Sequence, residues 1–479
     1  MEYEVVIGLE VHCELATKSK IYCACSTEFG KDANANVCPI CLAMPGALPV
    51  LNKKVVEYGI RAGLALNCSI AEKCKQDRKN YFYPDLPSGY QLSQLDEPLC
   101  IGGYLDINVD GNEKRINLAR IHFEEDAGKL VHDEWGKGSL VDLNRGSVPL
   151  IEIVSEPDMR SAEEVNVYLE KLKSILEFIG VSDCKMQQGS LRADVNISVR
   201  PAGQKEYGVR TEMKNINSFK SITRAIEFES KRHINILETG SETLVQETRR
   251  WDDVKGESYS MRNKENAVDY RYFPEPNLAP VIVDEAWLNE ICSALPELPH
   301  ERKSRYVSDY GLPEYDAGIL TTSIHLSDLF QEAVDSGAAP KSASNWIMGA
   351  LLRILNDKNL EPSEIPFNGK RLHELIILVE TGKINNNSAK KVLQIMFEKN
   401  ETPGDIVKTE GFEAVSDTGE LQAIAAKVID ANPKSLADYM DGKEKAFGYF
   451  VGQVMRETKG KADPQTVTGI IKERLDKLK

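Results

Sequence analysis

Apolar and polar residues alternate strictly in several segments of the first half of the chain. In VVIGLEVHCE, Val5, Ile7, Leu9 and Val11 fall on one side of an extended backbone, and Glu10, His12 and Glu14 on the other. In SLRADVNISVR, Leu191, Ala193, Val195, Ile197 and Val199 oppose Arg192, Asp194, Asn196 and Ser198. In VRTEMKN, Val209, Thr211 and Met213 oppose Arg210, Glu212 and Lys214. A fourth segment, INLARIHFEEDAGK, closes on three successive acids, Glu124, Glu125 and Asp126. Each pattern predicts a strand with one face in a core. Helical spacing stands out at two places here: 161–179, where Ser161 caps and Glu164 follows three residues on, and 218–237. Strands and helices mixed without regular alternation predict an α+β fold with an antiparallel sheet rather than a doubly wound one.

From about residue 295 the texture changes. LPELPHERKSRYV reads as a Pro-punctuated connector, and residues 327–334, 342–356 and 371–381 as successive helices. The end of the chain holds three more helical stretches: LQAIAAKVIDAN, KAFGYFVGQVMRETKG and PQTVTGIIKERLDKL. The expected division is a first domain over 1–293, a helical domain over 294–406 and a small helical tail over 407–479.

Composition narrows the class. With 479 residues, 42% of them hydrophobic, the chain can bury several cores. It shows no leader at its N-terminus, no long apolar run and no lipidation signal, so a cytoplasmic chain without a membrane span is expected. A net charge of −15 argues against a freestanding, non-specific nucleic-acid binder. The stretch 434–479 departs from that balance, with ten Lys/Arg against seven Asp/Glu. It fits either a solvated helical face or contact with RNA phosphates.

Two groups of residues carry candidate chemistry. If the alternating strands share one sheet, their polar faces gather carboxylates, an imidazole and cations. Such a bed suits hard divalent ions and nucleotide phosphates; a solvent-facing sheet side is the plainer alternative. Cys13 adjoins His12 but points to the other face, so no Cys–His dyad is expected. Among the ten cysteines, Cys23, Cys25, Cys38 and Cys41 form C-x-C and C-x₂-C pairs, the donor set of a closed structural zinc site; four reduced thiols in a loop are the alternative.

Longer strings give a family resemblance. IGLEVH at 7–12, CPICLAMPGALPVLN at 38–52, DRKNYFYPDLPSGYQLSQ at 77–94, HFEEDAGK at 122–129 and DLNRGSVPLIEIVSEPD at 142–158 resemble the B-subunit family of the tRNA-dependent amidotransferases. GVSDCKMQQGSLRADVNISVRP at 180–201, KNINSF at 214–219, QETRRWD at 246–252 and DYRYFPEPNLAP at 269–280 extend the match. SNWIMG at 344–349 and FVGQVM at 450–455 look like that family's helical domain and YqeY-like tail. The chain departs from the pattern at Ala43, at Gln187 and Gln188, and at Val209 and Arg210.

The resemblance implies a cradle-like, glutamine-synthetase-like catalytic domain. It implies a carbon–nitrogen ligase that uses ATP to phosphorylate the side-chain carboxylate of Glu-tRNA(Gln) or Asp-tRNA(Asn), then amidates it. Ammonia would come from a glutaminase A subunit, with a small C subunit completing a heterotrimer. By the same resemblance Mg²⁺ is held by Glu10, His12, Glu125, Asp194 and Glu212, with Glu124 an outer or alternative ligand. The tail would contact tRNA. Beside the resemblance, Arg78, Lys79 and Tyr81 read as candidate ATP contacts, with a packed aromatic turn as the alternative. Two rival functions are a freestanding ligase making a free amide and a non-enzymatic zinc-bearing tRNA adaptor. The helical C-terminus opposes the first and the carboxylate array the second.

Overall fold

A computed structural model describes residues 2–132, 138–263, 269–399, 401–413, 418–441, 443–458, 462 and 464–478. The fold is α+β, and the chain divides into two compact units, Met1–Leu298 and Pro299–Lys479.

The first unit is built on a ten-stranded sheet. From one edge to the other run Glu257–Asn263, Glu247–Asp252, Thr211–Lys214, Leu191–Pro201, Tyr3–Glu14, Pro149–Ser155, Asn112–Glu125, Cys100–Ile101 and Ser69–Ile70. Tyr104–Val109 adds to Asn112–Glu125 off this path. Neighbouring strands in this sheet run antiparallel, except that Thr211–Lys214 lies parallel to Glu247–Asp252. The N-terminal strand lies in the middle, with Leu191–Pro201 and Pro149–Ser155 on its two sides. The alternation decides which way it faces: Ile7, Leu9, Val11 and Cys13 are buried in the core, whereas Glu10, His12 and Glu14 lie half-buried on the other side. Leu191–Pro201 behaves likewise. The third predicted strand is shorter than its pattern, starting at Thr211 and leaving Val209 and Arg210 exposed.

Both helices expected in this half form, as Ala162–Phe178 and Phe219–Thr239. They pack on one another and on the sheet through Val165, Leu169, Leu172, Ile222 and Ile226. Ser161 caps the first by accepting from Glu164 N–H. Glu164 does not close the reciprocal capping box; its carboxylate takes the Arg160 N–H at 2.6 Å and Lys114 Nζ at 2.8 Å.

Two helices escape the sequence pattern. Lys53–Ala65 packs against Asn112–Glu125 and its neighbours so closely that a Cβ on Gly63 would lie 2.5 Å from Cys100 Sγ. Its glycines permit that approach and also dilute its helical signal. Glu285–Ala294 closes the unit, and its Ile291 joins the same core.

The second unit is helical throughout its described elements. Pro299–Ser308 forms a helix where the Pro punctuation suggests a connector. The predicted 327–334 and 371–381 helices appear as Ile324–Asp335 and Gly369–Glu380. The run predicted over 342–356 is helical but passes through a π-helical stretch, Trp346–Leu351. The unit holds two separate apolar clusters, one between Tyr306 and Val407 and one between Leu421 and Leu475. Among the basic residues of the tail, Lys459, Lys461 and Lys479 lie outside the described residues.

Candidate functional site

The polar face of the first unit's sheet carries two adjoining groups of possible metal donors. Register puts them there. Arg192, His12, Glu152 and His122 stand directly opposite one another across four neighbouring strands. Two residues along the N-terminal strand, Glu10 stands opposite Asp194. Side chains opposite one another in an antiparallel pair share a face at about 5 Å, so the clustering follows from strand order and register.

One group comprises Glu10, Asp194 and Glu212, each offering an oxygen within 4.8 Å of the others. Lys214 Nζ sits against two of them, 2.6 Å from Asp194 Oδ2 and 3.0 Å from Glu212 Oε1. Burial lowers the Lys214 pKa, but the Asp194 and Glu212 charges outweigh it and raise the pKa overall. Asn196 donates to Glu10 Oε1 at 2.9 Å and Thr248 to Glu212 Oε2 at 2.8 Å, fixing both carboxylates.

The other group comprises His12, Glu124 and Glu152, with donor atoms again within 4.8 Å of one another. His12 Nε2 lies 3.4 Å from Glu152 Oε2. His122, almost fully buried, lies 3.3 Å from Glu124 Oε1 and 3.5 Å from Glu152 Oε2. Glu124 is buried, which alone raises its pKa; the hydrogen bond and charge of His122 and the charge of Lys79 lower it overall. Ser93 Oγ and Gln91 Nε2 complete its partners at 2.5 and 3.1 Å.

Four of the five expected magnesium ligands thus lie in these groups, divided between them: Glu10, Asp194 and Glu212 in one, His12 in the other. Glu125 lies in neither. It follows Glu124 on a strand, so its side chain leaves by the opposite face, where it accepts from Leu92 N–H at 2.9 Å and Ser147 Oγ at 2.7 Å. Burial pushes its pKa up to about 7, against the Leu92 and Ser147 hydrogen bonds. Glu124, expected as an outer or alternative donor, belongs to the His12 group. Glu152 is a donor that the sequence pattern misses; its one signal is that it is a lone acid in the apolar strand Pro149–Ser155.

The candidate nucleotide contacts separate. Arg78 forms a two-pronged ion pair with the buried Glu275, at 2.5 and 3.0 Å, and stacks on Tyr90 and Phe273. That arrangement pins it to the 273–275 segment. Lys79 lies over Tyr270 and within the field of Glu124 and Glu152. Tyr81 packs edge-on against Tyr83 and Tyr270, its hydroxyl 3.4 Å from Gln91 Oε1. Cys13 is in the core, away from His12.

Cys23, Cys25, Cys38 and Cys41 converge with all four Sγ atoms within 4.8 Å of one another, and none is in a disulfide. Tetrahedral zinc with Zn–S near 2.3 Å needs sulfurs about 3.8 Å apart. The Cys38–Cys41 separation is 3.9 Å, so the residues present fit that ion.

Residues 5–289 match the family model of the GatB/GatE catalytic domain, and residues 328–475 match that of the GatB domain. This chain belongs to the B-subunit family. Relatives named as the B subunit of aspartyl/glutamyl-tRNA(Asn/Gln) amidotransferase share its full length. The one from Caldicellulosiruptor saccharolyticus is 60% identical over 100% of both chains. That from Caldanaerobacter subterraneus is 56% identical over 100% of both chains. That from Chlorobium chlorochromatii is 53% identical over 99% of this chain and 100% of its own. Among the described residues no helix is long and apolar enough to cross a membrane.

Proposed function

We propose that this chain is the cytoplasmic ATP- and Mg²⁺-dependent activating and amidating subunit of a tRNA-dependent amidotransferase. Its substrates are the side-chain carboxylates of Glu-tRNA(Gln), Asp-tRNA(Asn) or both. The observation that carries this is the pair of three-donor groups side by side on one sheet face, each with two carboxylates or more. Hard divalent ions take oxygen donors, and two neighbouring ions can bring together phosphate and carboxylate, which otherwise repel.

In this reading Glu10, Asp194 and Glu212 hold one Mg²⁺, and His12, Glu124 and Glu152 a second. When bound, the ions neutralise charge on the phosphates and the acceptor carboxylate. The chain's own groups do the rest. Asn196 and Thr248 hold Glu10 and Glu212 in place. His122, wedged between Glu124 and Glu152, fixes that pair. Lys79 adds positive charge for a phosphate. A substrate carboxylate oxygen attacks the terminal phosphorus of ATP and the bond to the ADP oxygen breaks. Ammonia then attacks the acyl carbon, phosphate leaves, and the nitrogen loses a proton. No step calls for a protein nucleophile. Zinc in the four-cysteine site would be structural, since four thiolates leave no open position.

A glutaminase subunit supplies the ammonia, a small third subunit completes the enzyme, and the tail contacts tRNA. The test is ATP turnover by the assembled enzyme. It is expected to need both Mg²⁺ and mischarged tRNA, and to be absent with free glutamate or aspartate. Turnover on a free amino acid would instead indicate a freestanding ligase, and no turnover an adaptor.

A further inference from the structure

The loop between the two cysteine pairs does not stop at the thiols. It is bonded to the 141–147 turn at five points. Asn34 N–H donates to Asp142 Oδ1 at 3.1 Å and Asn34 Nδ2 to Val141 O at 3.0 Å, while Leu143 N–H donates to Asn34 Oδ1 at 2.8 Å. Asn36 N–H donates to Asn144 Oδ1 at 2.7 Å, and Asn144 Nδ2 to Asp32 O at 2.7 Å. From the other end of the cysteine segment, Lys20 Nζ donates to Leu143 O at 3.1 Å and Ile21 N–H to Ser147 O at 3.0 Å.

Lys20 is itself unusual. Its side chain is completely buried, and its backbone N–H donates to Cys25 O at 2.9 Å. Among the described residues it forms no salt bridge to a carboxylate, and a buried ammonium is costly unless paired. A zinc ion with four thiolates carries about two negative charges.

The far side of the turn meets residues 125–128, the segment that follows Glu124 in sequence. Arg145 donates to Ala127 O at 3.0 Å and Gly128 O at 2.8 Å, and lies 3.5 Å from Asp126 Oδ2. Ser147, held at φ 64, donates from Oγ to Glu125. A residue with a β-carbon in that left-handed conformation is strained and persists only where its surroundings hold it.

We propose that the four-cysteine metal centre is a clamp on the 141–147 turn, in which Lys20 serves as counter-ion to the metal–thiolate group. Through Asn34, Asn144 and Lys20, metal loading holds Arg145 against Asp126 and Ser147 against Glu125. Lys20 and Asn144 are positioning residues in this scheme. The proposal rests on the metal reading of the cysteines, and metal content separates the two.

The experiment uses the full chain. Purified protein should hold one zinc per chain; protein holding none overturns the metal reading and the clamp with it. Lys20→Met should weaken zinc binding by roughly 10–100-fold in competition with a chromogenic chelator, as for other groups that support metal ligands. Lys18→Met, at an exposed position, should leave it unchanged. Stripping zinc should speed amide hydrogen exchange across 139–148 and leave 191–201 protected. Asn144→Ala, which keeps Lys20 and every thiol, should speed exchange in the turn with zinc still bound. Zinc-loaded protein whose 139–148 exchange is indifferent to zinc removal, or Lys20→Met protein with undiminished affinity, overturns the clamp.

Discussion

At the scale of single residues, neighbours in sequence have opposite fates here. Glu124 and Glu125 leave the same strand by different faces, one toward His12 and Glu152, the other toward Leu92 and Ser147. Glu124→Gln is therefore expected to abolish amide formation by the assembled enzyme and to lower Mg²⁺ affinity by at least about tenfold, while glutamine hydrolysis by the partner stays measurable. Glu152→Gln should do the same. Mg²⁺ titrations of both variants that match wild type would remove them from the metal site. Arg78→Ala should behave otherwise, because it strands Glu275, whose carboxylate is fully buried. Breaking such a pair costs about 3–5 kcal/mol, so the thermal midpoint should fall sharply. A normal midpoint with a raised KM for ATP would restore Arg78 to the nucleotide. The sequence exposed Glu10, His12, Asp194 and Glu212 because alternation set them on one face. Glu125 was the expected ligand and Glu124 the outer or alternative one; it is Glu124 that joins His12 and Glu152, because it leaves Asn112–Glu125 by the face that meets Glu152. Glu152 hid in an apolar string because a single acid there has no periodicity to mark it.

At the scale of elements, the core side of the sheet has its own polar knot. Glu229, on Phe219–Thr239, accepts from Arg232 Nε at 2.9 Å and Ser258 Oγ at 2.9 Å and lies 3.2 Å from His233 Nε2. Burial raises its pKa, but the hydrogen bonds and charges of His233 and Arg232 bring it down to about 2 from 4.5. A depressed folded-state pKa adds stability above the unfolded value and loses it as pH falls toward the folded one. The contribution, on the order of 3 kcal/mol, should thus be complete above about pH 5 and fade between about pH 4.5 and 2. Urea midpoints measured down this range should fall in wild type and change less in Glu229→Gln; parallel curves would sink the assignment. Helix ends are simpler: Ser161→Ala should cost about 1 kcal/mol, read in the same titration. Elements were legible where one face is apolar and the other polar, as in Ala162–Phe178 and Phe219–Thr239. Lys53–Ala65 also has a buried face, with Val55, Val56 and Ile60, but Gly59 and Gly63 within it lower its helix propensity.

At the scale of the whole molecule, the chain divides into two units at Leu298/Pro299, a few residues past the change of texture near residue 295. The displacement has a cause: Leu295 and Leu298 still pack on the first unit's core, so the first part of the apparent connector is core. The core cluster of the first unit draws all its buried members from Ile7 to Ile291, and the clusters of the second unit begin at Tyr306. A fragment ending at Leu298 therefore keeps every buried member of its own core, and its sheet loses no strand. Such a fragment should fold alone and unfold in urea cooperatively, with an m-value set by its own buried surface. It keeps both three-donor groups, so it should bind Mg²⁺ as the full chain does. If the tail carries the tRNA contact, the fragment should bind mischarged tRNA more weakly, and the deficit should shrink as salt rises, because phosphate contacts are the part salt weakens. Equal tRNA affinity in fragment and full chain across the salt series would place recognition wholly in the sheet-bearing unit.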